Sequence, residues 1–355
     1  MYPLLYLHIP FCDSKCPYCA FNSTAGERAK MERYTQALLR QWNEELTTLE
    51  IPLKSLPTLY IGGGTPSTLP LPLMEKIFDA ILPYLAMDAE ITVEANPGSA
   101  TRAWLEGIKN LGATRLSLGV QSFHPHKLAW LGRRHSDKEA EECVYMAQQA
   151  GFKHLSIDLI YATPLDTPEL LEAEAERAAS LPIDHLSAYA LTIEEGTPFA
   201  KEGRCTHEHE EELSVLMLSL LKQAGFIPYE ISNFSRGYIS RHNSGYWEGR
   251  DYIGLGAGAV GLRNGVRYYP KKNIDEYIAD PLTHTLEPLS PHDRHIEEIF
   301  LGLRSYIGLK SAHLTPIERE RAELLANEGK LQCHPDGYYN PNFLLADELA
   351  LYLIA

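Results

Sequence analysis

Three cysteines near the start of the chain are its most informative reactive residues. Cys12, Cys16 and Cys19 form a C-x3-C-x2-C pattern, whereas the other three cysteines are scattered. In a reducing compartment such a group indicates metal or redox chemistry more than disulfide bonds. Structural zinc needs a fourth protein ligand, which would have to be His8 or a distant residue. A [4Fe–4S] cluster on three thiolates instead leaves one iron open to a small chelating molecule, and we favour it over zinc.

Aromatic residues accompany these cysteines along the chain. Phe11, Tyr18 and Phe21 lie within or beside the cysteine pattern. Such rings would surround a cluster with apolar groups and limit the access of water and oxygen. We therefore expect the three aromatic side chains to shield the metal site.

The elements that must position the cysteines alternate between strand-like and helical patterns. Six β-like runs occur, and their starts are separated by 24 to 54 residues, which fits a helix and two short loops between strands. The runs cover residues 4–10, 58–64, 91–96, 115–121, 154–161 and 185–192. This rhythm predicts a parallel sheet.

These strands are not continuously apolar, as strands buried on both faces usually are. Leu116, Leu118 and Val120 share one face, opposite Ser117 and Gln121. One apolar face that packs on helices and one small or polar face predict a curved sheet with a ligand inside it. The expected fold class is therefore α/β, a partial (β/α)6 barrel of TIM-like type with its site at the carboxyl ends of the strands.

The sequence pattern changes after about residue 200. An aromatic- and glycine-rich segment spans 241–261, and from about residue 290 the sequence predicts helices with a short hairpin. We therefore expect three parts. They are a barrel over 1–235, a connecting segment over 236–285, and a small, mainly helical domain of winged-helix-like type over 286–355.

The glycine-rich stretch at 254–261 contains a formal G-x-G-x-x-G, the pattern of dinucleotide-binding folds. No convincing strand precedes it in the sequence pattern, and RNGVRYY follows in place of a helix. We therefore reject a dinucleotide site there and expect a tight loop.

The charge of the chain limits its partners. The 32 basic and 47 acidic residues give a net charge of −15 and an isoelectric point near 5.4, a poor match for nucleic acid or anionic lipid. No apolar run approaches the ~18–20 residues of a membrane span. The first lysine is Lys15, so no basic segment precedes the first apolar run. We expect a cytoplasmic protein without a signal peptide or an integral membrane segment.

Several ordered motifs resemble those of the radical S-adenosylmethionine (SAM) superfamily, in which C-x3-C-x2-C follows the first strand of a six-unit partial barrel. YLHIPFCDSKCPYCAF, YIGGGTPS, VEANPG, LSLGVQSF and DLIY resemble, more narrowly, the oxygen-independent coproporphyrinogen III dehydrogenases and their relatives, the HemW-type haem chaperones. The resemblance runs from about residue 4 to at least 308. It implies a [4Fe–4S] cluster, bound SAM and an electron donor for the cluster.

The resemblance carries over residue by residue. Cys12, Cys16 and Cys19 match the cluster ligands. The positions that match SAM-binding residues are Tyr6, Tyr18, Gly63, Gly64, Thr65, Glu94, Gln121, Arg133 and Asp158. Glycine, which lacks Cβ, would let the methionine end of SAM pass close to the backbone, and Glu94 would accept hydrogen bonds from the ribose hydroxyls.

The same residues also fit ordinary structural roles when only the sequence is considered. The glycines fit a strand-ending turn, Glu94 fits a solvated or ion-paired carboxylate, and Arg133 fits a surface arginine. The chain also departs from its relatives at Ala162, where they usually have glycine. This departure puts the shape of that loop in question.

Two functions from different classes are consistent with the resemblance. The first is an enzyme that oxidatively decarboxylates two propionates of coproporphyrinogen III. The second is a chaperone that binds haem and delivers it to an acceptor protein. The dehydrogenases carry a fourth cysteine two residues after the third, where this chain has Phe21, and an extension before the first strand, whereas this chain starts eleven residues ahead of Cys12. Both departures favour the chaperone.

A second motif resembles the H-N-x-x-Y-W motif of the haem chaperones and consists of His242, Asn243, Tyr246 and Trp247. A neutral imidazole is a competent axial ligand for haem iron, and the two aromatic residues could pack on the porphyrin. The alternative is that the aromatic residues close the open barrel while the histidine makes a structural hydrogen bond. His207 and His209 compete as ligands, although their acidic surroundings predict solvated side chains.

Overall fold

The structure is a computed structural model and describes residues 2–355. Within them the chain forms seventeen strands and thirteen α-helices. The strands are β1 (Leu4–Ile9), β2 (Phe11–Cys12), β3 (Thr24–Ala25), β4 (Leu56–Gly63), β5 (Leu85–Ala95), β6 (Arg115–Gln121), β7 (His154–Tyr161), β8 (His185–Ala190), β9 (Ile227–Pro228), β10 (Asn233–Ser235), β11 (Tyr252–Leu255), β12 (Gly261–Arg263), β13 (Val266–Pro270), β14 (His284–Pro288), β15 (Leu309–Lys310), β16 (Gln332–His334) and β17 (Gly337–Tyr339). The helices are α1 (Met31–Leu49), α2 (Leu71–Ile81), α3 (Arg102–Asn110), α4 (Pro125–Trp130), α5 (Asp137–Gln149), α6 (Pro168–Ser180), α7 (Pro198–Lys201), α8 (Glu210–Gln223), α9 (Arg241–Trp247), α10 (Ile274–Ala279), α11 (Pro291–Leu303), α12 (Pro316–Asn327) and α13 (Ala346–Ile354).

Six parallel strands form the wall of the barrel, in the order β1, β4, β5, β6, β7 and β8. This arrangement confirms the predicted partial (β/α)6 barrel. The main difference in extent is β5, which begins at Leu85 rather than at residue 91. Residues 86–90 include two carboxylates and lack the apolar alternation that marks the later part of the strand, so the sequence pattern identified only that part.

The two faces of the strands differ as the alternation predicted. Leu116, Leu118 and Val120 on β6 are fully buried and belong to the main hydrophobic core. Ser117 and Gln121 alternate with them and therefore point to the interior of the barrel. The polar interior follows from this alternation.

A seventh parallel strand, β11, pairs with the free side of β1, and Leu4 lies opposite Tyr252. The prediction that no strand precedes the glycine-rich stretch is therefore wrong. A four-residue strand that contains a glycine gives little local signal, and its pairing with β1 is a contact between distant parts of the chain. Strand β12 follows in place of a helix, so the rejection of a dinucleotide site stands. Gly256 has φ +110, and a Cβ there would lie 2.5 Å from the Tyr34 hydroxyl, so this turn requires glycine.

The chain packs around two main hydrophobic cores. The first belongs to the barrel and includes Ile253, Leu255 and Tyr277 of the predicted connecting segment. The second extends from Ile299 to Leu353 and lies among α11, α12, α13 and the three-stranded sheet β15-β17-β16. The domain boundaries after residues 235 and 285 stay predictions, although the connecting segment shares the core of the barrel. Among the helices of residues 2–355, none is both long and apolar enough to span a membrane.

Candidate functional site

The three cysteines follow β1 at the carboxyl edge of the barrel, where Cys12 ends the short strand β2 and Cys16 and Cys19 lie on the loop after it. All three are free thiols of intermediate exposure. The ammonium group of Lys15 donates to the carbonyl groups of Phe21 and Ser23 at 3.0 and 3.1 Å, which closes the loop on itself. The loop therefore presents its thiols beside the mouth of the barrel.

The alternative of a zinc ion gains no support from this geometry. Within residues 2–355, no three Cys, His, Asp or Glu side chains converge on a position for one metal ion. His8, the candidate fourth ligand, donates from Nε2 to the Asn22 carbonyl at 2.8 Å and accepts at Nδ1 from the Tyr6 hydroxyl at 2.9 Å. Both of its nitrogens are therefore engaged. A cubane cluster, by contrast, takes its three thiolates on three separate irons.

The turn after β4 fits closely against the cysteine loop. Gly63 has φ +117, a conformation that favours glycine. A Cβ on Gly64 would lie 2.8 Å from the Phe11 carbonyl oxygen and 3.0 Å from the Cys12 sulfur. The Thr65 hydroxyl donates to the same sulfur at 3.5 Å. Gly64 thus lets the turn pack directly against the thiol, where any side chain would clash, and the residues present fit a cluster beside this turn.

Arg133 reaches the cysteine loop from the opposite side of the mouth. Its Nη1 donates to the Cys16 sulfur at 3.4 Å and its Nη2 to the Gly119 carbonyl at 2.7 Å, while its buried Nε has no partner. Gln121 has φ +70 at the end of β6, and a Cβ on Gly119 would lie 3.0 Å from its side-chain nitrogen. Tyr18 packs near Phe199 beside the same guanidinium group. Arg133 and Tyr18 therefore lie beside Cys16, and Gln121 lies beside Gly119, which Arg133 also contacts.

Glu94 lies deeper in the barrel, below the glycine turn. It accepts hydrogen bonds from the Tyr60 hydroxyl at 2.7 Å and from the Gly63 amide at 3.1 Å. Burial and the neighbouring Asp158 carboxylate raise the pKa of Glu94 to about 7. The Ser117 hydroxyl donates to Asp158 at 3.3 Å, and burial also raises the pKa of this aspartate. Both carboxyl groups therefore hold a proton more readily than they would in water.

A cavity of about 460 Å³ opens at the carboxyl end of the barrel. Of the predicted site residues, its wall contains Cys12, Cys16, Thr65 and Arg133. The predicted residues outside the wall are Tyr6, Tyr18, Cys19, Gly63, Gly64, Glu94, Gln121 and Asp158. Residues of the wall that the sequence analysis did not identify include Arg28, Asn96, Ser99 and Arg134. Asn96 directly follows β5 on its polar face, so the alternation of that strand was the signal that could have identified it.

The prediction that three aromatic side chains surround the thiols is wrong for Phe11 and Phe21. The Phe11 side chain is buried and packs edge-on against Tyr34 in the core, with ring centroids 5.3 Å apart. The Phe21 side chain is 71% exposed. Only Tyr18 lies beside the cysteines. Phe11 belongs to a short strand and packs on α1, which its proximity to the cysteines in sequence did not indicate.

The loop after β7 takes the shape that a glycine would give it. Ala162 has φ +59 and is fully buried. This left-handed conformation is costly for a residue with a Cβ, by roughly 1–2 kcal/mol. Ala162 therefore adopts a backbone conformation that glycine favours, at the cost of local strain.

The predicted haem motif lies at the other end of the barrel. Helix α9 packs below the first residues of β4, where the Thr58 hydroxyl is 2.8 Å from Nδ1 of His242. Nε2 of His242 is 3.0 Å from the Tyr246 hydroxyl. The imidazole is 1% exposed, and burial together with Arg115 and Arg250 lowers the pKa of His242 to about 3.

This geometry matches the alternative in which the aromatic residues close the barrel and His242 makes structural hydrogen bonds. Asn243 and Trp247 are partly exposed on the same helix. Of the competing pair, His209 behaves as predicted, since its side chain is 61% exposed and lies 3.6 Å from Glu208, whereas His207 is half-buried and accepts a hydrogen bond from the His209 amide. The haem role of the motif stays a prediction, and in this conformation His242 has no free nitrogen.

Glu90 holds α9 in this position. Its buried carboxylate accepts hydrogen bonds from the Tyr238 hydroxyl at 2.8 Å, the Ser240 hydroxyl at 3.2 Å, and the amides of Arg241 and His242 at 2.8 and 2.9 Å. These groups include the first free amides of the helix, which a carboxylate satisfies well. The amino end of the barrel is therefore closed by a fully bonded contact.

Comparison with known proteins agrees with this architecture. Residues 6–178 match the model of the radical SAM superfamily, which implies a [4Fe–4S] cluster and SAM. "Heme chaperone HemW" of Mycobacterium tuberculosis strain H37Rv is 36% identical over 354 residues, which cover 94% of this chain and 89% of that protein. The Bacillus subtilis protein of the same name is 35% identical over 86% of this chain and 84% of its own length. The Escherichia coli protein of that name is 38% identical over 72% and 69%.

A solved structure shows the same fold at lower identity. Coproporphyrinogen III oxidase (HemN) from Escherichia coli, described as a radical SAM enzyme, superposes with a TM-score of 0.83 over 99% of this chain and 90% of that chain. At 21% identity this likeness establishes the fold and not the activity. The three HemW proteins, by contrast, are 35–38% identical to this chain along most of its length. The protein belongs to the HemW family within the radical SAM superfamily.

Proposed function

We propose that this chain is a haem chaperone, which binds a [4Fe–4S] cluster, SAM and haem and delivers the haem to an acceptor protein. The observation that carries the proposal is its 36% identity, over 94% of the chain, to a protein named heme chaperone. Phe21 stands where the dehydrogenases carry a fourth cysteine, and this supports the same choice. Coproporphyrinogen III dehydrogenase activity is the alternative.

Cys12, Cys16 and Cys19 would hold the cluster. These residues would hold a group that supplies single-electron chemistry to bound SAM, so an electron donor is a further proposed partner. Burial raises the pKa of the Cys12 thiol, and metal binding would displace its proton. The contact from Arg133 to Cys16 places a positive charge beside the thiolates. This charge would offset the negative charge of a cluster with three thiolate ligands.

The proposed SAM contacts surround the cluster loop and continue into the barrel. Thr65 and the two glycines before it offer close backbone approach, and Arg133 offers a cation with an unpartnered Nε. The other proposed contacts are Tyr6, Tyr18, Glu94, Gln121 and Asp158. The carboxylate of Glu94 would accept hydrogen bonds from the ribose hydroxyls, provided that it is ionised.

His242, Asn243, Tyr246 and Trp247 are the proposed haem residues. Because Thr58 and Tyr246 occupy both nitrogens of His242 in the closed barrel, ligation of haem iron requires at least one of these hydrogen bonds to break. The acceptor of the haem would be another protein, and nucleic acid is not a proposed partner of a chain with net charge −15. We place the protein in the cytoplasm, as its sequence pattern indicates.

One anaerobic experiment separates the two functions. The cluster is reconstituted, SAM and reductant are added, and coproporphyrinogen III and haem are offered in separate reactions. We expect a stable haem absorption spectrum and no protoporphyrinogen. Conversion of coproporphyrinogen III at many turnovers per protein would establish the enzyme instead. A Cys12→Ala variant serves as the control, because it should make no product whichever function is correct.

A further inference from the structure

A buried ion network at the junction of α4, α6 and the loop after β7 belongs to none of the sites described above. The ammonium group of Lys127 lies 2.7 Å from Oδ1 of Asp166 and 3.0 Å from Oε2 of Glu174. None of the three side chains is more than 2% exposed. Charges this deeply buried are stable only when they are paired and hydrogen-bonded. We call these three residues the Lys127 network.

The remaining carboxylate oxygens of the network bind neighbouring segments of the chain. Oδ2 of Asp166 accepts hydrogen bonds from the amide of Thr163 at 2.7 Å and from its hydroxyl at 2.9 Å. Oε1 of Glu174 accepts from the amide of Phe123 at 3.2 Å and from the hydroxyl of Ser122, which directly follows β6. The Lys127 network therefore joins the end of β6, α4, the loop after β7 and α6 at one point.

The position of α4 depends on few contacts. The helix has only six residues, and no side chain caps its amino end. A helix this short is not stable without tertiary contacts. Its two buried residues are Lys127 and Leu128. The Lys127 network therefore provides one of the two contacts that anchor α4.

The segment that follows α4 carries Arg133 to the cysteine loop. The Arg133 amide donates to the Leu128 carbonyl of α4 at 2.9 Å. Gly132 packs directly on the cysteine loop, since a Cβ there would lie 2.6 Å from Cδ of Pro17. A shift of α4 would therefore displace the backbone of Arg133, whose guanidinium group reaches the Cys16 sulfur.

We propose that Lys127 is a positioning residue of the SAM site, because its ion network fixes α4 so that Arg133 reaches Cys16. The inference rests on the proposed binding of the iron–sulfur cluster and SAM beside Arg133. Lys127 does not line the cavity, and it acts on the site through Arg133. A Lys127 with a purely structural role would change the stability of the fold and leave the contacts of Arg133 as they are.

The test is a double-mutant cycle on SAM affinity, measured by anaerobic calorimetry in the cluster-loaded protein. Arg133→Met should weaken SAM binding by about 10- to 100-fold, because it removes a charged hydrogen-bond donor. Lys127→Met should weaken it by about tenfold in the wild-type background but by less than about twofold in the Arg133→Met background, since both changes remove the same contact. Equal losses in the two backgrounds, or no loss in the wild type, would overturn the inference.

Arg263→Met is the matched control for the loss of a buried cation. Arg263 lies 2.5 Å from Glu45, their side chains are 13% and 9% exposed, and neither residue lines the cavity. This variant should keep SAM affinity within about twofold of wild type. A loss as large as that in Lys127→Met would show that SAM affinity only follows stability, and would overturn the inference. If Lys127→Met does not fold, as judged by circular dichroism and cluster content, Glu174→Gln replaces it and should weaken SAM binding only while Arg133 is present.

A second readout needs no SAM. Hydrogen exchange in the cluster-loaded protein reports on the amides of Leu131, Gly132 and Arg133, which donate to carbonyl groups of α4. Lys127→Met should speed their exchange by at least about tenfold, whereas Arg263→Met should not change it. Unchanged exchange in Lys127→Met would overturn the positioning role. If the wild type binds no SAM while exchange rises as expected, the proposed SAM site fails and the positioning of Arg133 by Lys127 stands.

Discussion

At the carboxyl end of the barrel, thiols of intermediate exposure and an arginine with an unpartnered Nε surround an open cavity. At the amino end, Glu90 accepts four hydrogen bonds and both nitrogens of His242 have partners. The first end has unused bonding capacity, which a ligand can satisfy. At the second end, Glu90 and His242 have used theirs to close the barrel, while Arg115 keeps an unpartnered Nε and Nη1. A ligand can therefore enter the cavity beside the cysteine loop, whereas binding at His242 must first break existing hydrogen bonds.

The largest expected effect concerns the cysteine loop. Replacing Cys12, Cys16 or Cys19 with Ala should abolish the complete cluster, because each thiolate would ligate a separate iron. Iron and sulfide content, with electron paramagnetic resonance, measures the loss. The matched controls are Cys143→Ala, Cys205→Ala and Cys333→Ala, which should retain the cluster. A wild-type protein that takes up zinc and refuses iron would contradict the assignment of the loop.

At the closed end, Glu90→Ala should lower the free energy of unfolding by about 3–5 kcal/mol, because it leaves buried donors of α9 and its cap without an acceptor. Urea denaturation measures the change. Asp88→Ala is the control, since the Asp88 side chain is 82% exposed and its 3.4 Å ion pair with Arg241 should contribute less than about 1 kcal/mol. If Glu90→Ala lowered the free energy of unfolding as little as Asp88→Ala, the contact between Glu90 and α9 would contribute little to stability.

Gly64→Ala should damage the open end selectively. The added Cβ would meet the Phe11 carbonyl and the Cys12 sulfur, so the turn must move away from the cysteine loop. We expect lower cluster occupancy and a loss of about 1–3 kcal/mol in the free energy of unfolding. Gly98→Ala is the control, because its nearest neighbour would be 3.8 Å away. Equal cluster content in the two variants would refute the close fit.

Glu94→Gln should raise stability at alkaline pH. The pKa of Glu94 is about 7 in the folded protein, above the usual value of 4.5, so the folded state holds the proton more tightly. Wild-type stability therefore falls as pH rises from about 4.5 to 7, and the uncharged Gln escapes this loss. The variant should be more stable by on the order of 1–3 kcal/mol above pH 7 and equal near pH 4. Denaturation of both proteins at pH 4 and pH 8 measures this difference in stability. If Glu94→Gln were more stable than wild type at both pH values, its packing rather than the titration of Glu94 would be the cause.

Much of the open end could be predicted from sequence because its signals are local. The cysteine spacing, the glycine turn and the alternation of β6 each occupy a few consecutive residues. The closed end depends on contacts between distant residues. Glu90 binds groups 148 to 152 residues away, and β11 becomes a strand through its pairing with β1. Neither pairing leaves a pattern in the neighbouring sequence. The closure of the barrel by α9 and the seventh strand could therefore be found only from the structure.

The central claim is that the two ends of the barrel serve two ligands, a cluster with SAM at one end and haem at the other. The most direct test compares wild type, His242→Ala and Cys12→Ala in one anaerobic preparation, with iron–sulfur content and the haem Soret band measured on each sample. We predict that His242→Ala shifts or abolishes the Soret band and retains the cluster, while Cys12→Ala loses the cluster and retains the band. A Soret band unchanged by His242→Ala would contradict the account and assign α9 to closure alone.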